Sequence, residues 1–359
     1  ADAKPGAYSS AVQITSDAGT ITVPLKFTLA SVVLPEIPIP VGVFKNSLSF
    51  EKKDCDEATW WRLQESLLKE EIRAGLNALS GGPDLEYRIE GNEIKGENAI
   101  RYIKLAQKYG TIRAIVPYGG FLPRASDLGP RMKDLAPKLK AFEEANGLPP
   151  TFVYSYDEPT TEEQRLAVMK HLVPATESGL KTIGYTSSHF NDPQWVKMME
   201  STYAPAVNIH TAEDIKKIKA AGKHPWVYNN GRDRYGFGIH LWREIQLGVE
   251  GRMDWIGVFT QGFAFNNLDG REPSYPCFLI HKERGVLKTA SWLSGREGLL
   301  DLRIRLALEK FAPKDDPVLK LWSVDGYKTE VDQKKWSDVE LDTTRAAMIK
   351  RLGELNAKP

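Results

Sequence analysis

Between residues 41 and 311, short apolar runs of strand character alternate with longer segments of helical periodicity. This alternation restricts the fold more than any figure of composition, because parallel strands joined by crossover helices are what it builds. Strands are expected at 41–44, 85–89 (with a hairpin excursion around Gly91-Asn92 to 93–95), 112–117, 151–157, 181–185, 206–209, 225–229 and 255–260. Helices are expected at 57–79, 98–109, 128–145, 162–177, 193–199, 213–221, 238–249 and 286–311. Eight strand-then-helix units predict an α/β protein, a (β/α)8 TIM barrel. A doubly wound open sheet would usually carry a glycine-rich phosphate turn after its first strand. Here that turn reads Lys45-Asn46-Ser47-Leu48-Ser49, without glycine.

The two ends differ from this middle. Residues 7–14 and 19–33 alternate apolar with small or polar side chains around Ser16-Asp17-Ala18-Gly19, which predicts a β-hairpin. Two strands alone are marginal in water, so the hairpin is expected either to pack on the barrel or to be the end of a β-sandwich. Leu34-Pro35-Glu36-Ile37-Pro38-Ile39-Pro40 reads as an extended linker. The domain organisation expected is therefore 1–40 as a strand segment and linker, 41–311 as the barrel, and 312–359 as a C-terminal appendage with a helix at 343–355.

The most chemical stretch is Thr151-Phe152-Val153-Tyr154-Ser155-Tyr156-Asp157-Glu158-Pro159. An apolar, aromatic strand ends abruptly in two carboxylates and a proline. Thr160 with Glu163 fits a capping box opening the next helix. Asp157 and Glu158 are thus expected on a βα turn, where TIM barrels collect their active sites. Acidic residues also cap helices without any catalytic role, and that reading stands beside the first. Plain alternation puts Tyr154, Tyr156 and Glu158 on one side and Asp157 on the other. Adjacent carboxylates are poorly placed to flank a sugar as separate nucleophile and acid. They suit substrate-assisted hydrolysis, in which an acetamido group attacks, one carboxylate orients it, and its neighbour serves as acid and base.

The expected strand ends form a polar, aromatic rim suited to a neutral, hydroxyl-rich ligand. Tyr118, Tyr156, His210, Tyr228, Asn230, Arg232 and Gln261 are the candidate sugar-binding residues. No histidine pair has metal-ligand spacing and no serine elbow occurs, so neither a metal nor a cofactor is expected. A net charge of +1 gives no pull toward nucleic acid or anionic membrane, and no run of about 18 apolar residues predicts membrane insertion. Cys55 and Cys277 could be free or paired. The chain begins Ala1-Asp2 with no signal peptide visible, and the expected location is secreted or periplasmic.

Tyr156-Asp157-Glu158-Pro159 resembles the catalytic motif of the glycoside hydrolase family 123 catalytic domain, the DUF4091 group. Pro5-Gly6-Ala7-Tyr8, Val23-Pro24-Leu25 and Val33-Leu34-Pro35 are similar to the sandwich end and linker that precede that barrel. Tyr275-Pro276 followed by Arg296-Glu297-Gly298-Leu299-Leu300-Asp301 resembles its last helix. The resemblance implies a retaining exo-β-N-acetylgalactosaminidase acting on an oligosaccharide or glycoconjugate. Asp157 would orient the substrate's acetamido group, and Glu158 would be the acid/base. This chain departs from the pattern at the eighth strand, where Phe259-Thr260 stands in place of a tryptophan. It departs again at Ser291 and Leu293, where the family has Arg and Glu.

Overall fold

The computed structural model describes residues 4–29, 32–44, 55–81, 87–90, 93–117, 132–258, 277–281, 283–325, 327 and 336–356. They divide into two compact units: Ile37–Leu302 with Ser323–Trp336, and Ala1–Glu36 with Arg303–Trp322 and Ser337–Pro359.

The first unit is built on parallel strands. Six form one sheet in the order β3 (Val41–Val43), β12 (Gly251–Asp254), β11 (Trp226–Tyr228), β10 (Ala204–Val207), β9 (Thr182–Thr186) and β8 (Val153–Asp157). Two short parallel strands, β4 (Ala78–Leu79) and β7 (Ala114–Ile115), complete the ring. On one side Asn77 N donates to Val41 O at 2.9 Å; on the other Phe152 N donates to Ile115 O at 2.8 Å. The chain is a TIM barrel, as the alternation predicts. Alternate residues point inward, where Phe44, Phe152, Tyr185, Trp226 and Tyr228 interdigitate with Ala78, Ala114, Ala204 and Ala206. The residues between them, Val207 and Val227 for example, face the helices and pack on Trp195, Met198, Ile215 and Ile218.

The structure corrects the sequence reading at several elements. The second strand is β4, not 85–89. Helix α1 (Glu57–Ala74) stops short of 79 because Gly75, at φ 122°, turns the chain and donates its N–H to Glu71 O and Ile72 O. The 88–95 stretch is the expected hairpin excursion alone, β5 (Arg88–Glu90) antiparallel to β6 (Glu93–Lys95), ahead of α2 (Glu97–Gln107). Helix Ala290–Phe311 starts later than expected because a hairpin of β13 (Phe278–His281) and β14 (Gly285–Lys288) precedes it.

The eighth strand is also displaced, to Gly251–Asp254. Arg252 and Asp254 break the apolar pattern of a barrel strand, yet both are fully buried. Met253 fills the barrel interior, so its two charged neighbours point outward, under the π-helical turn Gly236–His240 and helix Leu241–Leu247. Arg252 donates to Asp254 at 2.7 Å, to Glu244 at 2.8 Å, and to the backbone carbonyls of Gly231 and Gly236. Burial pushes the Glu244 carboxyl up, but Arg252, His240 and Asn230 together hold it down at about 2. Asp254 is raised by the same burial, which Arg252 offsets only in part. Two carboxylates sharing one cation separate in this way.

The second unit contains a long antiparallel ribbon, β1 (Gly6–Ser16) on β2 (Gly19–Leu29), paired from Gly6↔Leu29 to Ser16↔Gly19. Opposed residues share a face. One face therefore gathers Tyr8, Val12, Ile14, Ile21, Val23, Leu25, Phe27 and Leu29; the other carries Ser, Thr, Gln and Lys. Tyr8 stacks on Phe27 at 5.4 Å, and the apolar face is exposed, Ile21 to 67 %. Elsewhere in this unit Arg303 donates to Pro35 O, and Arg351, on helix Asp338–Asn356, pairs with Asp316 at 2.8 Å. Among the described residues no helix is long and apolar enough to cross a membrane.

Candidate active site

The fourth barrel strand is irregular where the chemistry collects. Tyr154 pairs with Ile183 and Tyr156 with Gly184, so Ser155 is an extra residue and the strand bulges. One extra residue reverses the alternation after it. Tyr154 packs against the barrel interior, whereas Tyr156 turns out among the helices and donates to, or accepts from, Thr202 Oγ1 at 3.0 Å. Its ring lies directly over Gly184, where a Cβ would come within 2.2 Å of it. Tyr156 is therefore a packing residue, apart from the strand-end cluster in which the sequence reading put it.

Strict alternation between the two carboxylates ends at Glu158, the first residue beyond the strand. Glu158 takes the left-handed conformation, φ 42°, held by its N–H donating to Tyr185 O at 2.7 Å. A glutamate there costs about 1–3 kcal/mol of backbone strain, which persists where the surroundings impose it. Pro159 is buried behind the turn, and the following helix Glu162–Glu177 is capped by a box of Thr161 with Gln164, one residue beyond the expected pair. Asp157 and Glu158 are both exposed.

Tyr228, at the end of the seventh strand, donates its hydroxyl to Glu158 Oε1 at 2.7 Å, and Asn208 Nδ2 approaches the same oxygen at 3.5 Å. Asn208 is oriented in turn by Ser187, whose hydroxyl donates to its Oδ1 at 2.8 Å. Burial, then the adjacent Glu158, raises the Tyr228 phenol well above its ordinary range, so it stays a donor. Among the described residues both donors to Glu158 reach Oε1.

The remaining candidates divide. Tyr228 joins Asp157 and Glu158. Asn230 is buried behind the seventh strand, its backbone N–H donating to Asp254 and its side chain to Glu244 at 2.8 Å. Arg232 is half-buried and donates to Ile256 O at 2.9 Å. His210 is buried against Tyr327 at 2.8 Å. Tyr118 and Gln261 lie outside the described residues. Sequence reasoning missed Asn208 and Trp255 as site residues. Asn229, at φ 55°, accepts from Trp255 N through Oδ1 at 2.7 Å and so ties the seventh strand end to the eighth. Asparagine's tolerance of the left-handed region was the available signal.

His210 carries a pH dependence. His240 Nε2 donates to Glu244 at 2.9 Å, which leaves the Tyr327 hydroxyl to donate to His210 Nε2. Burial, chiefly, drops the His210 imidazole to about 4. The unfolded chain takes up its proton near pH 6.5 and the folded one only near 4. The stabilisation is therefore complete above about pH 6.5 and is lost as pH falls through that window, by about 3 kcal/mol. Urea midpoints should decline between pH 6.5 and 4 in the wild type and less in His210→Gln. Equal slopes would show that other groups set the decline.

No family model matches the chain, and no curated protein matches it either. Solved structures do. A sugar phosphate isomerase/epimerase from Parabacteroides distasonis matches 77 % of this chain and 98 % of its own, at 11 % identity and a TM-score of 0.42. Gas2p from Saccharomyces cerevisiae matches 74 % of this chain and 61 % of its own, at 8 % identity and a TM-score of 0.45. GH5_18 from Bifidobacterium longum, in complex with Manb1-4GlcNAc, matches 73 % of this chain and 78 % of its own, at 12 % identity and a TM-score of 0.42. Likeness at this level identifies no activity.

Proposed function

We propose that the chain is a retaining exo-glycosidase that releases terminal β-linked N-acetylhexosamine, N-acetylgalactosamine foremost, by substrate-assisted catalysis. The observation that carries this is the company Glu158 keeps. The side chain that reaches it from the end of the seventh strand is the phenol of Tyr228, a hydrogen-bond donor and not a second carboxylate. Separated carboxylates stand about 5–5.5 Å apart across the sugar in retaining enzymes. Among the described residues the carboxylate beside Glu158 is Asp157, the adjacent residue on the same turn.

An internal nucleophile resolves this geometry. The acetamido oxygen attacks C1 as the Glu158 proton passes to the leaving oxygen, and Asp157 accepts the amide N–H while positive charge develops on the ring. Glu158, now ionised, takes a proton from the water that opens the cyclic intermediate, which regenerates the acid. A held internal nucleophile gains an effective molarity of roughly 10⁵ M or more. Trp255, directly after the true eighth strand, supports the same reading. It supplies at that strand's end the tryptophan that the resemblance expects and that the residues 259–260 lacked.

The test is a matched pair of aryl glycosides. A 2-acetamido substrate should be cleaved and its 2-hydroxy counterpart left intact, and a thiazoline mimic of the cyclised intermediate should inhibit competitively. Asp157→Asn should lower kcat by about 10²–10³ with little change in KM, as removal of one electrostatic stabiliser does. Efficient cleavage of the 2-hydroxy glycoside with indifference to the thiazoline would overturn the mechanism in favour of an ordinary glycosidase. Binding of sugar without turnover of either substrate would make the barrel a glycan-binding module.

A further inference from the structure

Away from the strand ends, the facing ridges of α1 and α2 enclose a groove of about 470 Å³. Its walls carry Arg62 from α1, Arg101 and Lys104 from α2, and Lys108 at the C-cap of α2, against one lining carboxylate among the described residues, Glu65. Ala58 and Leu105 supply an apolar floor. We propose that this groove is an accessory binding site for an anionic polysaccharide, one carrying sulfate or uronate groups along its length.

The spacing of the cations supports a linear polyanion. Arg101, Lys104 and Lys108 lie on one stripe of a helix, about 4.5 Å and about 6 Å apart along its axis. That is the scale on which successive sugars of a charged polysaccharide present their anions. The charges are partly committed within the protein. Arg101 reaches Glu57 at 3.6 Å, Lys108 reaches Glu65 at 3.8 Å, and Lys104 donates to Gly147 O at 3.0 Å. These pairs are exposed, and exposed pairs are worth at most about 1 kcal/mol, so an incoming anion can exchange for them. The guanidinium of Arg101 lies over the Trp61 ring, 4.0 Å from its centroid, which fixes its plane without using its N–H donors.

The same contact argues against nucleic acid. Single-stranded nucleic acid is held by cations together with exposed aromatic faces on which bases stack. Here Trp61 is covered by Arg101 and only 6 % exposed. A partner without aromatic rings fits this groove better.

Binding of chondroitin sulfate to the full chain tests the inference, with uncharged dextran as control. Chondroitin sulfate should bind, and its affinity should fall about tenfold between about 50 and about 200 mM salt, as release of two or three counterions requires. The double variant Arg101→Glu/Lys104→Glu should lose at least about tenfold in affinity. It should stay folded, with a melting temperature only a few degrees lower as loss of exposed pairs implies, and should keep its rate on a small aryl glycoside, since neither residue belongs to the Asp157–Glu158 site. This readout is independent of the glycosidase proposal, because binding is measured whether or not sugar is cleaved. Absence of binding at low salt, or equal binding by the folded double variant, would overturn the inference. Tighter binding of oligothymidylate or polyglutamate than of chondroitin sulfate would overturn it also, and would assign the groove to those partners.

Discussion

Glu158→Gln should leave a folded barrel whose kcat on a glycoside with a poor leaving group is lower by roughly 10²–10⁴, the usual worth of general acid catalysis. A carboxamide nearly matches the carboxyl in shape and can still accept from Tyr228, but it cannot give up a carboxyl proton. An activated aryl leaving group needs little protonation and should lose less in the step that breaks its bond. The contrast between the two substrates is the measurement that matters, because a collapsed site would slow both alike. Wild-type turnover of a natural glycan by the folded variant would remove Glu158 from the acid role. The full loss on both substrates, with an unchanged melting temperature, would point to a nucleophile instead.

The largest effect on stability is expected at Arg252. Replacement by methionine would leave Glu244 and Asp254 buried without their shared cation, and the carbonyls of Gly231 and Gly236 without their donor. Removing one partner from a buried ion pair costs about 3–5 kcal/mol, a fall in Tm on the order of 10 °C for a domain of this size. Neutralising the whole cluster should hurt less than breaking it. Arg252→Met combined with Glu244→Gln and Asp254→Asn should recover a substantial part of the loss, since no uncompensated charge then remains. A single variant within about 1 kcal/mol of wild type in urea unfolding would show that the cluster is solvated in solution. Activity should fall along with stability, because Arg252 and Asp254 hold the chain that follows Tyr228.

The barrel was legible because most of its strands carry apolar residues on both faces. Those at 41, 153, 182, 204 and 226 announce themselves, bracketed by helices of ordinary length. Ala78-Leu79 did not, since a two-residue strand after a helix reads as more helix unless Gly75 is given its due. Gly251–Asp254 was hidden by charge: a strand holding Arg252 and Asp254 breaks the rule that buried means apolar, and only the partners Glu244 and His240, distant in sequence, make it tolerable. At the site, the location of Asp157 and Glu158 at a strand end was readable. Their company was not. The Ser155 bulge, which shifts Tyr156 outward, depends on pairing with β9 and leaves no mark in composition. His210 and Asn230 looked like rim residues because they follow strands, and the structure spends both on a buried polar network.

The ribbon of β1 and β2 is expected to promote self-association of the chain. An apolar ladder on one side, of which Phe27 is 55 % exposed, attracts any similar surface at short range. The long-range repulsion that would keep molecules apart is nearly absent near neutral pH, where the chain's net charge is +1 and its isoelectric point about 7.9. Acidifying the buffer raises the charge but spends the stability tied to His210. Alkaline buffer without sulfate or phosphate gives the better dispersion, since those salts strengthen apolar contact. Light scattering against pH should accordingly pass through its maximum near the isoelectric point and fall furthest on the basic side.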